Sequence, residues 1–504
     1  PSTRRAPPSF WGKKSYRLDQ AWIPLWNSDS KCHPGICINS SQMKIRDFFP
    51  RVKDFLETPP WRRYAALFLL GWILRLPVLL LVIANPARAV PPGDAPGYLQ
   101  LAINLLEHGV FSLGTGAPYF PDAFRTPGYP LFLDLVFQTA GISVVAVAVV
   151  QSLLHILTGL ILARLGEQVF GSVRIGLAGA LLWLIAPTPA IFSGILLTEI
   201  LFTSVFLLLL WFLSAPSISR VAIGGVVFGF GILIRPIAIL LWPALIPALC
   251  WGSRWRQALG KCALFSATLA VMVAPWIFRN IVAFGKPTLA AVQGYNLLYY
   301  NAAGYIAVRD GLTLAKAREI ADREYREYLQ EENLQPATMM DESDAMSAAA
   351  INILAADPVR SLLFNGWNSL NGFRPGASYV LMFLFPDTLT PGDVTEGELS
   401  PAVSNLDRPE ILFTTVLMSI GYGVLFLLAA AGVLRLFWKK SWKILAIFGL
   451  PCGILMYAPG ISSNARFRIP IEPVLCLLAA AVLCELLPRV SARLRNSPAK
   501  PQNT

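Results

Sequence analysis

Blocks of about 20 apolar residues, the length a helix needs to cross the hydrocarbon core of a bilayer, recur along this chain. The first is "YAALFLLGWILRLPVLLLVIA" at 64–84. Inside lipid the backbone must satisfy its own hydrogen bonds, so a block of this kind is helical. Only 14% of the 504 residues are charged, against about 25% in soluble domains, and the mean hydropathy is +0.54. The pattern excludes a soluble multidomain protein and predicts an all-α polytopic membrane protein of about ten transmembrane helices. The spans read at 64–84, 143–165, 174–192, 196–214, 220–235, 237–251, 262–281, 411–436, 443–459 and 470–488.

The formal charge of +12 is unevenly placed. Residues 285–410 hold 17 acidic and 9 basic side chains, and the excess of Lys and Arg lies in short loops and tails. "RVKDFLETPPWRRY", "RLGEQVFGSVR", "SRWRQALGK", "WKKSWK" and "RVSARLRN" all fall on one side of a ten-span path. The positive-inside rule makes that side cytoplasmic, with both termini inside. No basic run interleaves with aromatics, so nucleic acid is excluded as a partner and membrane lipids are the expected surroundings.

This path divides the chain into a cytoplasmic tail (1–60), a transmembrane module (61–284) with a first outer loop (85–142), an outer cap (285–410), C-terminal spans (411–488) and a basic tail (489–504). Residues 1–42 are rich in Ser, Pro and Arg, precede the first methionine, Met43, and lack an apolar region. They read as a disordered tail or as sequence upstream of the start, not as a signal peptide. "CHPGIC" (Cys32, His33, Cys37) has no second ligand pair, and the other cysteines lie in or beside spans, so no disulfide framework is expected.

Two outer segments carry helical patterns. "YPLFLDLVFQTAG" (129–141) is too short to span and is interrupted by Asp134, so it reads as a helix on the outer surface. In the cap, 312–332 and 347–373 have helical spacing, the second with a break near Asp357-Pro358, and either suits the membrane surface.

Charges in or beside spans are costly and usually functional. Asp94 follows the first span. Asp122 and Arg125 lie in "YFPDAFRTPGYP", and Glu199 in "LLTEILF". Arg235 lies in "LIRP", Arg279 in "PWIFRN", and Arg466 and Arg468 in "NARFRIP". All eight fall toward the outer face on the ten-span path. Arginines suit phosphate through paired, charge-assisted hydrogen bonds, and a carboxylate suits removal of a proton from a hydroxyl. The set therefore points to chemistry on a lipid-linked anion. Plainer readings stand beside this one. Arg235 and Arg279 can snorkel to headgroups, Asp94 can cap a helix, and Arg75 can pair with a neighbouring carboxylate. Tyr98, Tyr129, Tyr295, Tyr299 and Tyr300 can stack on sugars or anchor the interface.

The order of these motifs resembles the C-type glycosyltransferase superfamily, in the bacterial branch related to protein O-mannosyltransferases and aminoarabinose transferases (family 39-like). The resemblance runs over roughly 60–488 and rests on "GDAPGYLQLAINLLEHG", "FRTPGYPLFL", "ARLGEQVFG", "TE" opening a span, "LIRP", "PWIFRN" and "RFRIPIEPVL". It implies surface-lying helices in the first outer loop and transfer of a sugar from a polyprenyl-phosphate donor on the outer face of a bacterial inner membrane. Asp94 would match the catalytic acid. Glu199 stands where the family usually has an Asp. No metal or other cofactor is expected, since no Asp-x-Asp pair is present.

Together these readings assign Asp94 and Glu199 to catalysis and Arg235, Arg279, Arg466 and Arg468 to the donor phosphate. Tyr98, Asp122, Arg125, Tyr129 and Tyr295 fall to substrate binding. The acceptor is a lipid, glycan or protein hydroxyl, and direct displacement inverts the anomeric centre. A transporter or flippase of a lipid-linked sugar is the rival; it leaves the outer cap, the lack of internal repeats and Asp94 unexplained. An O-antigen ligase or polymerase leaves the substantial first outer loop unexplained.

Overall fold

Apolar residues cover both sides of the first helix, α1 (Pro60–Ala84). Leu67, Gly71, Val78 and Val82 are buried, while Leu69, Ile73, Leu76, Leu80 and Ile83 stand exposed on the other face. A helix that is apolar all round and bare on one side is built for lipid. The protein was described from a computed structural model over residues 56–385, 409–460 and 463–495. The reading of 1–42 as a disordered tail falls outside those residues.

The chain continues through α2 (Asp94–His108), α3 (Gly128–Ala140), α4 (Val144–Phe170), α5 (Val173–Ile185), α6 (Glu199–Leu213), α7 (Ile218–Ile234) and α8 (Trp255–Phe284). Then come α9 (Leu314–Glu331), α10 (Met339–Ala355), α11 (Pro358–Ser369), α12 (Ala377–Leu384), α13 (Pro409–Trp438) and α14 (Glu472–Arg495). No strand occurs among the described residues, and the all-α class holds.

Five helices are long and apolar enough to cross a membrane: Pro60–Ala84, Val144–Phe170, Trp255–Phe284, Ile411–Trp438 and Ala465–Leu487. Counting one bent pair in the cap as a single span gives six. The remaining apolar blocks are helices of 10–17 residues, at Val173–Ile185, Glu199–Leu213, Ile218–Ile234, Pro236–Cys250 and Trp442–Tyr457. Length thus supports five of the ten spans drawn from the sequence, and the bent pair at 339–373 coincides with none of them.

One expected span is broken. Residues 174–192 form α5 and a separate short helix, Pro187–Phe192, with Ala186 extended at ψ 123°. Proline bars the preceding residue from helical geometry, and two prolines, Pro187 and Pro189, follow in close order. The break also decides the partner of Arg75. The carbonyls at the end of α5 lack helical donors, and the buried Arg75 guanidinium donates to the Leu184 oxygen. A helix C-terminus, not the expected carboxylate, receives this cation.

Within the segment read as a cap, residues 297–355 close over their own apolar core of Leu298, Ile306, Ala317, Ala321, Tyr325 and Ala349. Helix α11 turns away at the expected break: Met339–Ala355 and Pro358–Phe373 meet at 104°. Asp357 caps the new helix by accepting from the Arg360 amide at 3.2 Å.

Reporter fusions test the sidedness. A fusion at Met340 should report the outer compartment and one at the C-terminus the cytoplasm, because the basic loops alternate that way. Cytoplasmic signal from Met340 would overturn the path.

Candidate active site

The site begins with a glycine. Gly93 sits at φ 106°, ψ −117°, a conformation closed to side-chain-bearing residues. It lets the chain turn sharply into α2, whose first residue is Asp94. Gly93, not Asp94, occupies the cap position, so the Asp94 carboxylate is free for other partners.

Both its oxygens are taken by arginines. Arg125 Nη2 donates to Oδ1 at 2.9 Å and Arg466 Nη1 donates to Oδ2 at 2.8 Å. Arg125 lies across the Tyr98 ring, 4.3 Å from its centre. Gly97, one helical residue earlier, leaves room for it: a Cβ there would stand 3.3 Å from Arg125 Nε. The "GDAPGY" stretch thus supplies the turn, the acid, the gap and the aromatic seat in sequence order.

Glu199, the first residue of α6, is fully buried. Its Oε1 accepts from Arg235 Nη2 at 2.9 Å and from Arg466 Nε, while Oε2 has no partner. Arg235 ends α7 and lies between the rings of Phe202 and Phe467, at 5.9 and 5.4 Å. Arg466 stands on a short turn started by Asn464, whose side chain accepts from the Arg466 amide.

The result is a chain of alternating charge: Arg125, Asp94, Arg466, Glu199, Arg235. Three cations face two anions, which leaves one positive charge over. Burial pushes the Asp94 carboxyl up, but the guanidiniums of Arg466 and Arg125 outweigh it and hold the group well below the usual carboxylate range. The Asp94 side chain keeps 37% of its surface exposed, whereas Glu199 keeps none. Of the two acids, only Asp94 can meet a substrate without the surrounding helices parting.

The other predicted residues fall elsewhere. Tyr129 is fully buried and its hydroxyl donates to Gln151 Oε1 at 2.8 Å. Gln151 in turn donates to the Ile195 carbonyl at 2.7 Å, tying α3 and α4 to the turn before Glu199. Tyr98 stacks edge-on against Tyr129, 5.0 Å between centres. Both rings are packing for the charge chain, not open surfaces. The Asp122 carboxylate accepts from the Phe124 amide at 3.0 Å, and its burial pushes its pKa up.

Arg279 donates to the Asp122 carbonyl at 2.7 Å and to Asn280 Oδ1 at 2.9 Å, 4.8 Å over the Trp276 ring. Arg468, fully buried, bonds Glu472 at 3.2 Å and the Gly372 carbonyl at 2.9 Å, 4.2 Å over the Tyr422 ring. Neither is hydrogen-bonded to the Asp94–Glu199 chain. Tyr295 is exposed, and its ring stands against Phe124, the neighbour of Arg125.

Sequence reasoning missed Tyr379 on α12, which feels the charges of Arg466, Glu199 and Asp94; burial pushes its hydroxyl up to about 12. A tyrosine in "SYVLMFLF" carries no sign of what it packs against. Among the described residues no three His, Cys, Asp or Glu side chains gather in a way that would hold a metal ion.

A glycine also sets the approach of α3 to α7. A Cβ on Gly128 would lie 2.7 Å from the Leu233 carbonyl atoms and 2.8 Å from the Ile234 amide, just before Arg235. Backbone cannot yield as a side-chain tip does, so Gly128→Ala should cost about 1–3 kcal/mol by overpacking. Thermal unfolding in detergent reads this as a lowered midpoint; an unchanged midpoint would mean the two helix ends are free to separate.

Residues 124–278 match the family model described as dolichyl-phosphate-mannose-protein mannosyltransferase. That stretch contains Arg125, Glu199, Arg235 and, at its edge, the start of "FRN". Among solved structures, the chain is similar to ArnT from Cupriavidus metallidurans bound to undecaprenyl phosphate. The identity is 14% over 87% of this chain and 82% of that one, with a TM-score of 0.39. It is also similar to the Archaeoglobus fulgidus oligosaccharyltransferase tethered to an acceptor peptide, at 15% identity, over 85% of this chain and 50% of that one, with a TM-score of 0.46. No curated protein matches the chain.

Proposed function

We propose, from the premise that residues 124–278 carry the mannosyltransferase family match, that this membrane glycosyltransferase moves a sugar from a polyprenyl-phosphate donor to an acceptor hydroxyl. Transfer takes place on the outer, periplasmic face and inverts the anomeric centre. The observation that carries the reading is Asp94, a partly exposed carboxylate held by two guanidiniums in a group with net positive charge.

The chemistry follows from these parts. A donor phosphate competes with Asp94 for Arg125 and Arg466, since both anions want the same N–H groups. As the guanidiniums turn to phosphate, they stabilise the charge that grows on it when the glycosidic C–O bond breaks. The leaving phosphate diester becomes a monoester and needs no proton. Asp94, relieved of part of its positive surroundings, becomes more basic and takes the proton from the acceptor hydroxyl as its oxygen bonds the anomeric carbon. Glu199, closed off from substrate, is a positioning residue: it aims Arg466 and Arg235.

Purified protein in detergent, given a polyprenyl-phosphate sugar and a membrane extract, should form new glycosylated product detectable by mass spectrometry. Glycolipids and glycoproteins from cells with and without the protein identify the sugar and acceptor. A transporter needs two compartments and forms no product in detergent. Absence of product there, with an unchanged cellular glycan profile, would sink the enzyme reading.

A further inference from the structure

Of the tyrosines around the charge chain, one is open. Tyr98 keeps 9% of its surface and Tyr129 none, but Tyr295 keeps 40%. Its ring stands edge-on to Phe124, 5.9 Å between centres at 73°. Phe124 is the neighbour of Arg125, whose guanidinium carbon lies 5.8 Å from the Phe124 ring and whose Nη2 holds Asp94. The exposed ring is therefore one residue removed from the partner of the carboxylate.

Tyr299 and Tyr300 also stand against the ring, tilted and edge-on, at 5.0 and 6.2 Å between centres. These two sit on a π-helical turn, Leu297–Ala302, a rare geometry often found at functional sites. Tyr299 is anchored: its hydroxyl donates to Asp322 Oδ1 at 2.9 Å, and its carbonyl accepts from Arg318 Nε at 3.1 Å. Tyr300 lies under the Arg318 guanidinium, 5.1 Å away, and feels the charges of both Asp94 and Arg466. Among the described residues the hydroxyls of Tyr295 and Tyr300 make no hydrogen bond, and Arg318 uses only Nε.

A partly exposed aromatic side chain with hydroxyls and a guanidinium close by that still lack partners suits one ligand chemistry well. A sugar ring has a C–H face that packs on an aromatic face, and hydroxyls at its edge that both donate and accept. An apolar ligand would leave the hydroxyls and the guanidinium unused, and a bare anion would not use the ring.

We propose that Tyr295, set against Phe124 and Tyr300 with Arg318 behind Tyr300, is a stacking platform for a sugar ring at the edge of the Arg125–Asp94 pair. The platform rests on the glycosyltransferase reading and adds a site to it. The ring comes either from the donor or from a carbohydrate acceptor.

Saturation-transfer NMR on the full chain in detergent tests it, with methyl α-mannopyranoside, methyl α-glucopyranoside and N-acetylglucosamine as probes. Wild type and Tyr295→Phe, which keeps the ring, should transfer saturation to one C–H face of at least one probe. Tyr295→Leu should weaken that binding about 3- to 10-fold, the scale of one aromatic contact. Tyr295 is exposed, so the leucine variant should keep the wild-type elution and melting behaviour. No contact with any probe, or equal contact in Tyr295→Leu, overturns the platform. In the transfer assay a raised KM for donor assigns the ring to the donor, and a raised KM for acceptor assigns it to the acceptor. Failure of the two readings is separable. Sugar binding that needs Tyr295, in a protein that transfers nothing, leaves the platform standing without the enzyme. Transfer that needs Asp94 and ignores Tyr295 does the reverse.

Discussion

Asp94→Asn should lower the rate of sugar transfer by roughly 10²- to 10⁴-fold, the contribution of a positioned general base. The substitution keeps size and shape and removes only the ability to take a proton. Helix α2 does not depend on it, because Gly93 holds the cap position. Expression and melting should stay near wild type, and binding of polyprenyl phosphate should hold or tighten as a competing anion leaves Arg125 and Arg466. The pH profile supplies a second reading. The free-protein Asp94 is held below the ordinary carboxylate range by Arg466 and Arg125, against the push of burial. A base must be ionised to act, so a lowered pKa moves the acid limb of kcat/KM below about pH 4. Turnover of the Asn variant at the wild-type rate would remove Asp94 from the mechanism.

Arg466→Gln should have the largest combined effect on stability and donor binding. One guanidinium joins Asp94 to Glu199, and glutamine replaces neither bond to its full strength. Each charge-assisted hydrogen bond contributes about 1.5–3 kcal/mol, so losing both should cost about 3 kcal/mol or more. Glu199 would keep only Arg235 while staying fully buried. Donor affinity should fall roughly 10- to 150-fold. Should the single variant fold poorly, a Glu199→Gln background removes the buried anion, so adding Arg466→Gln there should cost less stability and still weaken the donor. Wild-type affinity for polyprenyl phosphate in that double variant would make Arg466 a structural strut.

The gathering of Asp94, Glu199, Arg235 and Arg466 was readable from position alone. A charge beside an apolar block is expensive unless it has a partner or a task, and these four stand at the ends of blocks. Their pairing was not readable, since nothing in one chain says which arginine reaches which acid. Arg279 and Arg468 satisfy the same positional rule, yet they hold backbone carbonyls and Glu472. Arg125, a candidate for substrate on the sequence, grips Asp94. Tyr98 and Tyr129 looked as suitable for sugar as Tyr295 does; burial separates them, and burial depends on neighbours distant in sequence. The helices followed from apolar blocks because lipid leaves the backbone no other form. Hydropathy runs unbroken across Pro187, because it is blind to the restriction a proline puts on the residue before it.

Arg466 also links an early and a late stretch of this chain. Asp94 is made early, and its second cation arrives 372 residues later, on the turn that leads into the last described helix. Until that turn is translated and seated, the carboxylate lacks one of its two guanidiniums, and Glu199 lacks the arm that joins it to Asp94. A chain cut short before that turn can insert most of its apolar blocks and still hold no complete chain of alternating charge. The order of manufacture thereby acts as a lock: Asp94 and Glu199 are joined only once the turn that carries Arg466 is seated.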